Sequence, residues 1–520
     1  MSRRLIDPLM IVIIGLALYF NSFTYPFVWD DEEQIIANQS ITSLGNIPQF
    51  FFGSTFNSGG RDGLTGLYYK PLLTTSYALL YSLFRINPVG YHVFQVLLHI
   101  VNALLLFFFL RVFWKDQWRR FLISLIFLIH PVQIESVVYI AGLQEPLFMF
   151  FGLLTLNLYS CKKPNLLFLA APLLLLSLLS KETGIVFILL VPLYSYLITH
   201  KNRLLSTFSS LIALLTYLFL RFGMAKMQIS EHNLTPINRL SLLERLPNIP
   251  KIIVHYLEHF FLPHNLSISE HWVINSLSWG EFWFPLIICL FLACGVFLLV
   301  WWQEKHLSRN LFFLTWFILA LGLHLHLIPL DFTVSDRWFY LPIVGLSAFL
   351  VSLLPAQEKF ELKNKHIVLF LYLIFLLVSA LIRIEKWQSG LSLYQNDIAI
   401  SPNSFDLTNN LGVELFRHGQ IKQAQEYFLL STKLAPYWWT NFNNLGVTLE
   451  AAGDATGAAE AYKIAIENGR YYLAYENYAR FLIVTNQLQE AQEFLNEATK
   501  QFPHNQTLQE FANYLAKQLK

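Results

Sequence analysis

Four consecutive carboxylates, Asp30, Asp31, Glu32 and Glu33, stand directly after the first strongly apolar stretch, in the run Phe27-Val28-Trp29-Asp30-Asp31-Glu32-Glu33. Charge is costly at a membrane mouth, and a carboxylate kept there can take a proton from an attacking hydroxyl or hold a cation. Two adjacent acids also repel each other, which raises the pKa of one and suits it to proton transfer. More acids and bases gather in loops predicted on the same side. Arg61, Asp62 and Lys70 share the first long loop with the carboxylate run; His130, Glu135, Gln144 and Glu145 form a second group, Lys181 and Glu182 a third, and Asp331, Asp336 and Arg337 a fourth. Each alone would pass for a solvated helix flank, but several loops converging on one mouth point to an active site.

A rival pattern is His255-Tyr256-Leu257-Glu258-His259, whose spacing puts both histidines on one helix face as zinc ligands. No distal acid stands out to complete that set. Asp30 with Asp31 could instead hold a divalent metal, although nothing in the chain requires a metal or other cofactor. His324 and His326 suit packing or pore lining better than metal binding.

The elements that position these residues are membrane spans. Of 520 residues, 55% are hydrophobic and only 13% charged, against about a quarter charged in a soluble domain. There is no basic stripe to suggest a nucleic-acid partner, and Cys161, Cys289 and Cys294 form no disulfide framework. A hydrocarbon core of about 30 Å takes roughly 20 apolar residues per helix. That ruler marks spans near 5–24, 93–112, 119–139, 145–160, 164–180, 184–199, 204–223, 281–302, 310–329, 338–354 and 366–384, about eleven in all. Segment 250–265 is expected to be interfacial or re-entrant. Lysine and arginine fall in alternate loops, at Arg3 and Arg4, Arg111 to Arg120, Lys162 and Lys163, Lys201 and Arg203, Lys305 and Arg309, and Lys359 to Lys365. The positive-inside rule therefore puts the N-terminus in the cytoplasm and the tail outside it.

The tail repeats itself. Asn-Asn-Leu-Gly recurs at 409–412 and 443–446, and Ala424, Ala458 and Ala491 are each followed four residues later by Phe428, Tyr462 and Leu495. This 34-residue period predicts a tetratricopeptide α-solenoid of three repeats, about 405–438, 439–471 and 472–505, closed by a capping helix over 506–520. The fold class is thus all-α: a polytopic membrane domain over 1–390, with external loops at 25–92 and 224–280, and an external repeat domain over 395–520.

The chain resembles the transmembrane and tetratricopeptide-repeat O-mannosyltransferases of the GT-C glycosyltransferase superfamily. The matching stretches are Phe27-Val28-Trp29-Asp30-Asp31, Lys70-Pro71-Leu72-Leu73-Thr74, Asn87-Pro88-Val89-Gly90-Tyr91-His92, His130-Pro131-Val132-Gln133-Ile134-Glu135-Ser136, Ser180-Lys181-Glu182 and Asp336-Arg337-Trp338-Phe339-Tyr340-Leu341-Pro342. Gln133 departs from the family's second histidine, Gly142-Leu143-Gln144-Glu145 departs from its Gly-Arg-acid pattern, and the repeat array is short. These departures bear on which sugar and which acceptor are used.

The resemblance implies an inverting transferase that moves one sugar, mannose in the family, from a polyprenyl phosphate to serine or threonine hydroxyls of a protein. It assigns the general base to Asp30, with Asp31 tuning its charge or binding the acceptor. Glu32 and Glu33 would face solvent or open the helix holding Gln34 to Ala37. A departing phosphate needs a cation, and Arg337, which can grip two oxygens at once, comes before Lys181. His130, Glu135, Glu145, Glu182 and Asp336 would support the site. Trp438, Trp439, Tyr471 and Tyr472 are the candidate acceptor contacts on the repeats. Two alternatives are transfer to a glycolipid or cell-envelope polymer, and a non-catalytic membrane scaffold. The short tail points to a bacterial inner membrane rather than the endoplasmic reticulum.

Overall fold

The computed structural model describes residues 3–55, 68–161, 164–227, 235–302, 306–354 and 364–518. Arg61, Asp62, Lys162, Lys163, Lys305, Lys359 and Lys363 lie outside the described residues. Among those described, the chain is helical, and its extended pairing is one isolated bridge between Glu270 and Val334.

The helices of the first part are α1 (Arg3–Tyr19), α2 (Pro71–Phe84), α3 (Pro88–Phe109), α4 (Gln117–Ile129), α5 (Ile134–Val138), α6 (Gln144–Ser160), α7 (Ala170–Ser180) and α8 (Ile185–Tyr194). They continue with α9 (Arg203–Leu218), α10 (Leu242–Arg245), α11 (Asn248–Phe261), α12 (Phe284–Trp302), α13 (Leu307–Gly322), α14 (Pro342–Leu353) and α15 (Asn364–Lys386). Local chemistry sets several of their starts. Prolines whose missing N–H costs nothing there open α2, α3 and α14. Asn87 caps α3 by accepting from the Val89 N–H at 3.1 Å.

Among the described residues, seven stretches are long and apolar enough to cross a bilayer: Leu5–Thr24, Pro88–Val112, Ile140–Ser160, Glu182–Thr199, Arg203–Met224, Trp279–Trp302 and Ile367–Lys386. The pair Gln117–Ile129 and Pro131–Val138, bent by 54°, makes an eighth if it is one span. The bend falls at Pro131, which has no N–H to continue the helix. Three shorter apolar helices, Asn165–Ser180, Leu307–Gly322 and Pro342–Leu353, lie where the remaining spans were expected. The chain is therefore a polytopic helical membrane protein. Helix α11, in the segment expected to be interfacial or re-entrant, buries Ile252, Tyr256, His259 and Phe260 and is not among the long apolar stretches.

Burial separates centre from periphery. The Ile140–Ser160 stretch is 78% buried, whereas Trp279–Trp302 is 11% buried and turns its apolar surface outward, as a lipid-facing helix should. Polar side chains bond between the inner helices: Gln95 donates to the Ser136 and Tyr139 carbonyls at 2.8 and 2.7 Å, and Asn102 donates to the Pro146 carbonyl at 2.8 Å. Such groups need partners in hydrocarbon, so they fix helix rotation.

After α15, the chain forms α16 (Gly390–Ile400) and then helices in pairs: α17 (Phe405–Arg417) with α18 (Ile421–Leu434), α19 (Trp439–Ala451) with α20 (Ala455–Asn468), and α21 (Tyr472–Val484) with α22 (Leu488–Gln501). A last helix, α23 (Gln506–Gln518), follows them. Gly412 and Gly446 explain the tightness of the first two pairs. A Cβ on either would lie 2.8 Å from Phe428 or 2.7 Å from Tyr462.

The pairs are bolted to the membrane part by buried acids. Asp397 takes both nitrogens of Arg383, at 2.6 and 3.0 Å, and accepts the Ile268 N–H at 2.9 Å. Asp406 accepts from the Ser269 hydroxyl at 2.7 Å and lies 3.1 Å from the His271 Nε2. Burial works to raise Asp406, but His271 and the Ser404 and Ser269 hydroxyls outweigh it and hold the carboxyl at about 2. Glu32 opens the short helix Glu32–Ile36, as expected, and at the surface its two oxygens take Arg417 of α17 at 2.6 and 2.5 Å.

Candidate active site

The loop that carries the acids is held by Asp31. Its side chain is fully buried, with one oxygen accepting the Val28 N–H at 3.0 Å and the other the Ala141 N–H at 2.6 Å. Between those anchors Trp29 adopts a left-handed backbone, φ 56°, a conformation that costs a non-glycine residue about 1–2 kcal/mol. Ring contacts hold it there. The indole stacks on Tyr139 at 5.5 Å and meets Phe332 edge-on at 6.1 Å. The result turns Asp31 into the protein and Asp30 into a cavity.

That cavity has a volume of about 530 Å³ and is walled by Asp30, Lys70, Lys181, Arg221, Asp331 and Arg337 among others. Three of its cations bring their own acids. Arg337 bonds Glu135 through Nη1 at 2.8 Å and through its backbone N–H at 2.9 Å. Lys181 pairs with Glu145. Arg221 pairs with Glu182 at 3.2 Å and donates to the Tyr217 hydroxyl at 2.8 Å.

Lys70 is the exception: among the described residues no carboxylate stands within ion-pair distance of it. Its Nζ sits 4.1 Å from the Tyr68 ring centroid, and the residue is only 7% exposed. Burial lowers its pKa to about 8, partly offset by Glu182. A buried cation without a carboxylate favours an anionic ligand.

Burial also raises Asp30 above the ordinary carboxylate range, against the Tyr139 hydroxyl, Arg337 and Lys70, which favour the anion. Asp331 is pushed up to about 6 by burial, with Arg337 opposing. One wall is apolar, built from Leu178, Leu214, Leu218, Phe222, Leu323 and Ile328. Phe222 and Ile328 remain 43% and 74% exposed, so this wall reaches the outer surface of the helix bundle. The buried side-chain oxygens of Gln34 and Gln144, two further lining residues, have no hydrogen-bond partner among the described residues.

The predicted residues thus divide. Asp30, Lys181, Glu182 and Arg337 line the cavity, while Glu135 and Glu145 stand behind it as partners of two of its cations. His130 does not reach it: its ring stacks on Phe260, and its Nε2 lies 2.9 Å from the Phe260 carbonyl. Asp336 faces His259 at 3.3 Å. Trp438 packs edge-on against Phe405 at 5.0 Å and Trp439 lies against Gly469, and both stay half-buried. Tyr471 and Tyr472 stay half-buried near Glu33.

Lys70, Arg221, Asp331 and Tyr139 also line the cavity, and the sequence alone gives none of them a role. Arg221 had a usable signal, an arginine inside an apolar run. Among the described residues no group of three or more His, Cys, Asp or Glu side chains is placed to hold a metal ion. In the His-x-x-Glu-His stretch, His255 lies 3.9 Å from Glu270 and His259 3.3 Å from Asp336.

The two acids make opposite predictions. Asp31→Asn puts an NH2 group against a backbone N–H and should destabilise the protein by about 1–3 kcal/mol, whereas Asp30→Asn should not. Thermal unfolding in detergent reads both, and equal shifts would contradict the division of labour.

No protein-family model matches the chain. It is similar to a protein O-mannosyl-transferase of Caenorhabditis elegans, F38B6.6, at 27% identity over 457 residues, covering 84% of this chain and 64% of the relative. It is also similar to the protein O-mannosyl-transferase TMTC3 of Mus musculus, at 22% identity over 507 residues, covering 88% of this chain and 54% of the relative. The resemblance to O-mannosyltransferases therefore extends over most of the chain, which spans between about half and two thirds of the length of these relatives. An Archaeoglobus fulgidus oligosaccharyltransferase crystallised with a tethered acceptor peptide overlaps at 12% identity with a TM-score of 0.38, covering 81% of this chain and 58% of the other; so loose an overlap supports no argument.

Proposed function

We propose that the chain is a membrane glycosyltransferase that moves one sugar, mannose, from a polyprenyl phosphate to serine or threonine hydroxyls of a protein on the extracytoplasmic side. The likeness to O-mannosyltransferases motivates the reaction class. The observation that carries the reading is the cavity, where a half-buried carboxylate with a raised pKa accompanies a cation that has no ion-paired acid among the described residues, beside an apolar wall that reaches the outer surface of the helix bundle. A lipid-linked sugar phosphate has that same order of parts: apolar tail, anion, reacting carbon.

In this reading the acceptor oxygen attacks the anomeric carbon from the side opposite the phosphate, and its proton passes to Asp30. The bond from that carbon to the phosphate oxygen breaks, and polyprenyl phosphate leaves with the electron pair. One displacement inverts the anomeric centre. Lys70 and Arg337 neutralise the departing phosphate, with Lys181 beside them, and no metal is required for the step. Asp31 acts by anchoring the loop. All eleven apolar segments cross the bilayer in this arrangement. The helix pairs of 395–520 are external tetratricopeptide repeats, and residues 1–390 form the catalytic domain.

The test is a mass-spectrometric assay of the full chain in lipid nanodiscs, supplied with polyprenyl phosphate mannose and a serine-rich polypeptide. The polypeptide should gain one hexose per modified hydroxyl. Mass gained by a co-supplied glycolipid instead would favour the alternative acceptor, and no consumption of donor would leave a scaffold.

A further inference from the structure

The charged side chains of the cavity account for the proton and the phosphate of the proposed step, and they leave the sugar itself to other groups. Three neutral polar side chains line the same cavity: Gln34, Gln144 and His324. Gln34 and His324 are only 7% and 4% exposed. The side-chain oxygens of Gln34 and Gln144 are buried and accept no hydrogen bond among the described residues. His324 is satisfied at one nitrogen. Its Nδ1 lies 3.1 Å from the Ala320 carbonyl, which can only accept, so that nitrogen carries the proton and Nε2 of the neutral ring is left as an acceptor. The ring stacks on Trp338 at 5.1 Å, which fixes its plane.

Two of these groups are placed where the sugar must lie, between the base and the phosphate. Gln34 stands one turn on from Asp30, and its backbone N–H donates to the Asp30 carbonyl at 2.8 Å. Gln144 lies between Ala141, whose N–H holds Asp31, and Glu145, which pairs with Lys181. The last torsion of a glutamine side chain is soft, so a small rotation brings either oxygen to a hydroxyl in the cavity.

We infer that Gln34, Gln144 and His324 are the specificity-determining residues for the sugar, and that each accepts a hydrogen bond from a hydroxyl of a neutral hexose. A hexose is rich in O–H donors, and these three acceptors lack a donor. An oxygen buried without a donor costs free energy, and apolar side chains of like size would line the cavity without that cost. A site built to bond a hydroxyl discriminates strongly against a ligand that lacks it, because the protein group is then left unpaired. The inference rests on the reading of the cavity as a glycosyltransferase site.

The probes are polyprenyl phosphate mannose and a set of analogues that each lack one hydroxyl of the sugar, titrated against the full chain in nanodiscs with no acceptor present. Affinity should fall by about 5- to 150-fold for each analogue missing a hydroxyl that one of the three groups receives. Gln34→Met and Gln144→Met keep the length of the side chain and lose the carboxamide, and His324→Phe keeps a ring against Trp338. Each variant should bind the complete donor as weakly as the parent binds one particular analogue, and should no longer distinguish the two. A residue that only supports the fold would weaken the whole set alike. Parental discrimination retained in all three variants overturns the inference, as does a parent that binds every analogue within about twofold of the complete donor. If a variant does not fold, the analogue series decides on the parent protein alone. A parent that does not bind polyprenyl phosphate mannose removes the transferase reading and this inference together, whereas equal binding of the whole set removes the inference and leaves the transferase.

Discussion

Asp30→Asn lowers the rate of sugar transfer by about 10² to 10⁴, the usual contribution of a positioned general base, while donor affinity holds or improves slightly. The asparagine keeps the size of the side chain but cannot take the acceptor's proton. Removing the anion also removes its repulsion of a nearby phosphate. Asp30 accepts no bond from the backbone anchors that Asp31 holds, so the loop should keep its shape. Single-turnover transfer with pre-bound donor separates this outcome from a binding defect. A second signature lies in pH. Burial raises Asp30 above the ordinary carboxylate range, so the base is protonated and idle at low pH and becomes active as pH rises through its shifted pKa. The acidic limb of kcat/KM should sit higher than an exposed aspartate would give and should vanish in Asp30→Asn. Full activity in that variant, or an unchanged acidic limb, removes Asp30 from the base role.

How much of this was legible in the residues depends on range. Spans follow from runs of apolar residues, so each of the expected segments contains a helix, although the helix within 310–329 already ends at Gly322. The repeat period survives as paired helices because glycines at 412 and 446 meet Phe428 and Tyr462. The resemblance picks Asp30 out of the carboxylate run, and Asp30 lines the cavity. Its neighbour could not be understood that way, since one of the backbone donors that fix Asp31 lies 110 residues on, at Ala141.

Ion pairs were least accessible of all. Glu135 and Arg337 are 202 residues apart, and Glu32 and Arg417 are 385 apart. Arginine and lysine at a membrane mouth look alike in sequence, and only folding shows which of them already has a carboxylate. That is why Arg337 and Lys181 stood out while Lys70 did not, and why the partner of Glu32 is invisible in the sequence.

Lys70 therefore carries the second large effect. Replacing it with methionine keeps the apolar stem over Tyr68 and removes the charge. A hydrogen bond to a charged group is worth about 1.5–3 kcal/mol, so donor affinity should fall by about 10- to 150-fold. The rate constant should fall as well, because charge on the phosphate grows while the sugar departs. Lys70→Arg provides the sign test. Burial favours the neutral amine and sets Lys70 at about 8, so in the free enzyme the cation is present below that pH and lost above it. The alkaline limb of kcat/KM should accordingly fall near 8 in the parent. A guanidinium stays charged throughout this range, so Lys70→Arg should retain donor binding and carry the limb to higher pH. Arg337 cannot produce this behaviour, since it keeps its charge and already holds Glu135. An alkaline limb that stays in place in Lys70→Arg, or a donor affinity within twofold of the parent in Lys70→Met, would return the phosphate to Arg337 and Lys181 and leave Lys70 as a packing residue.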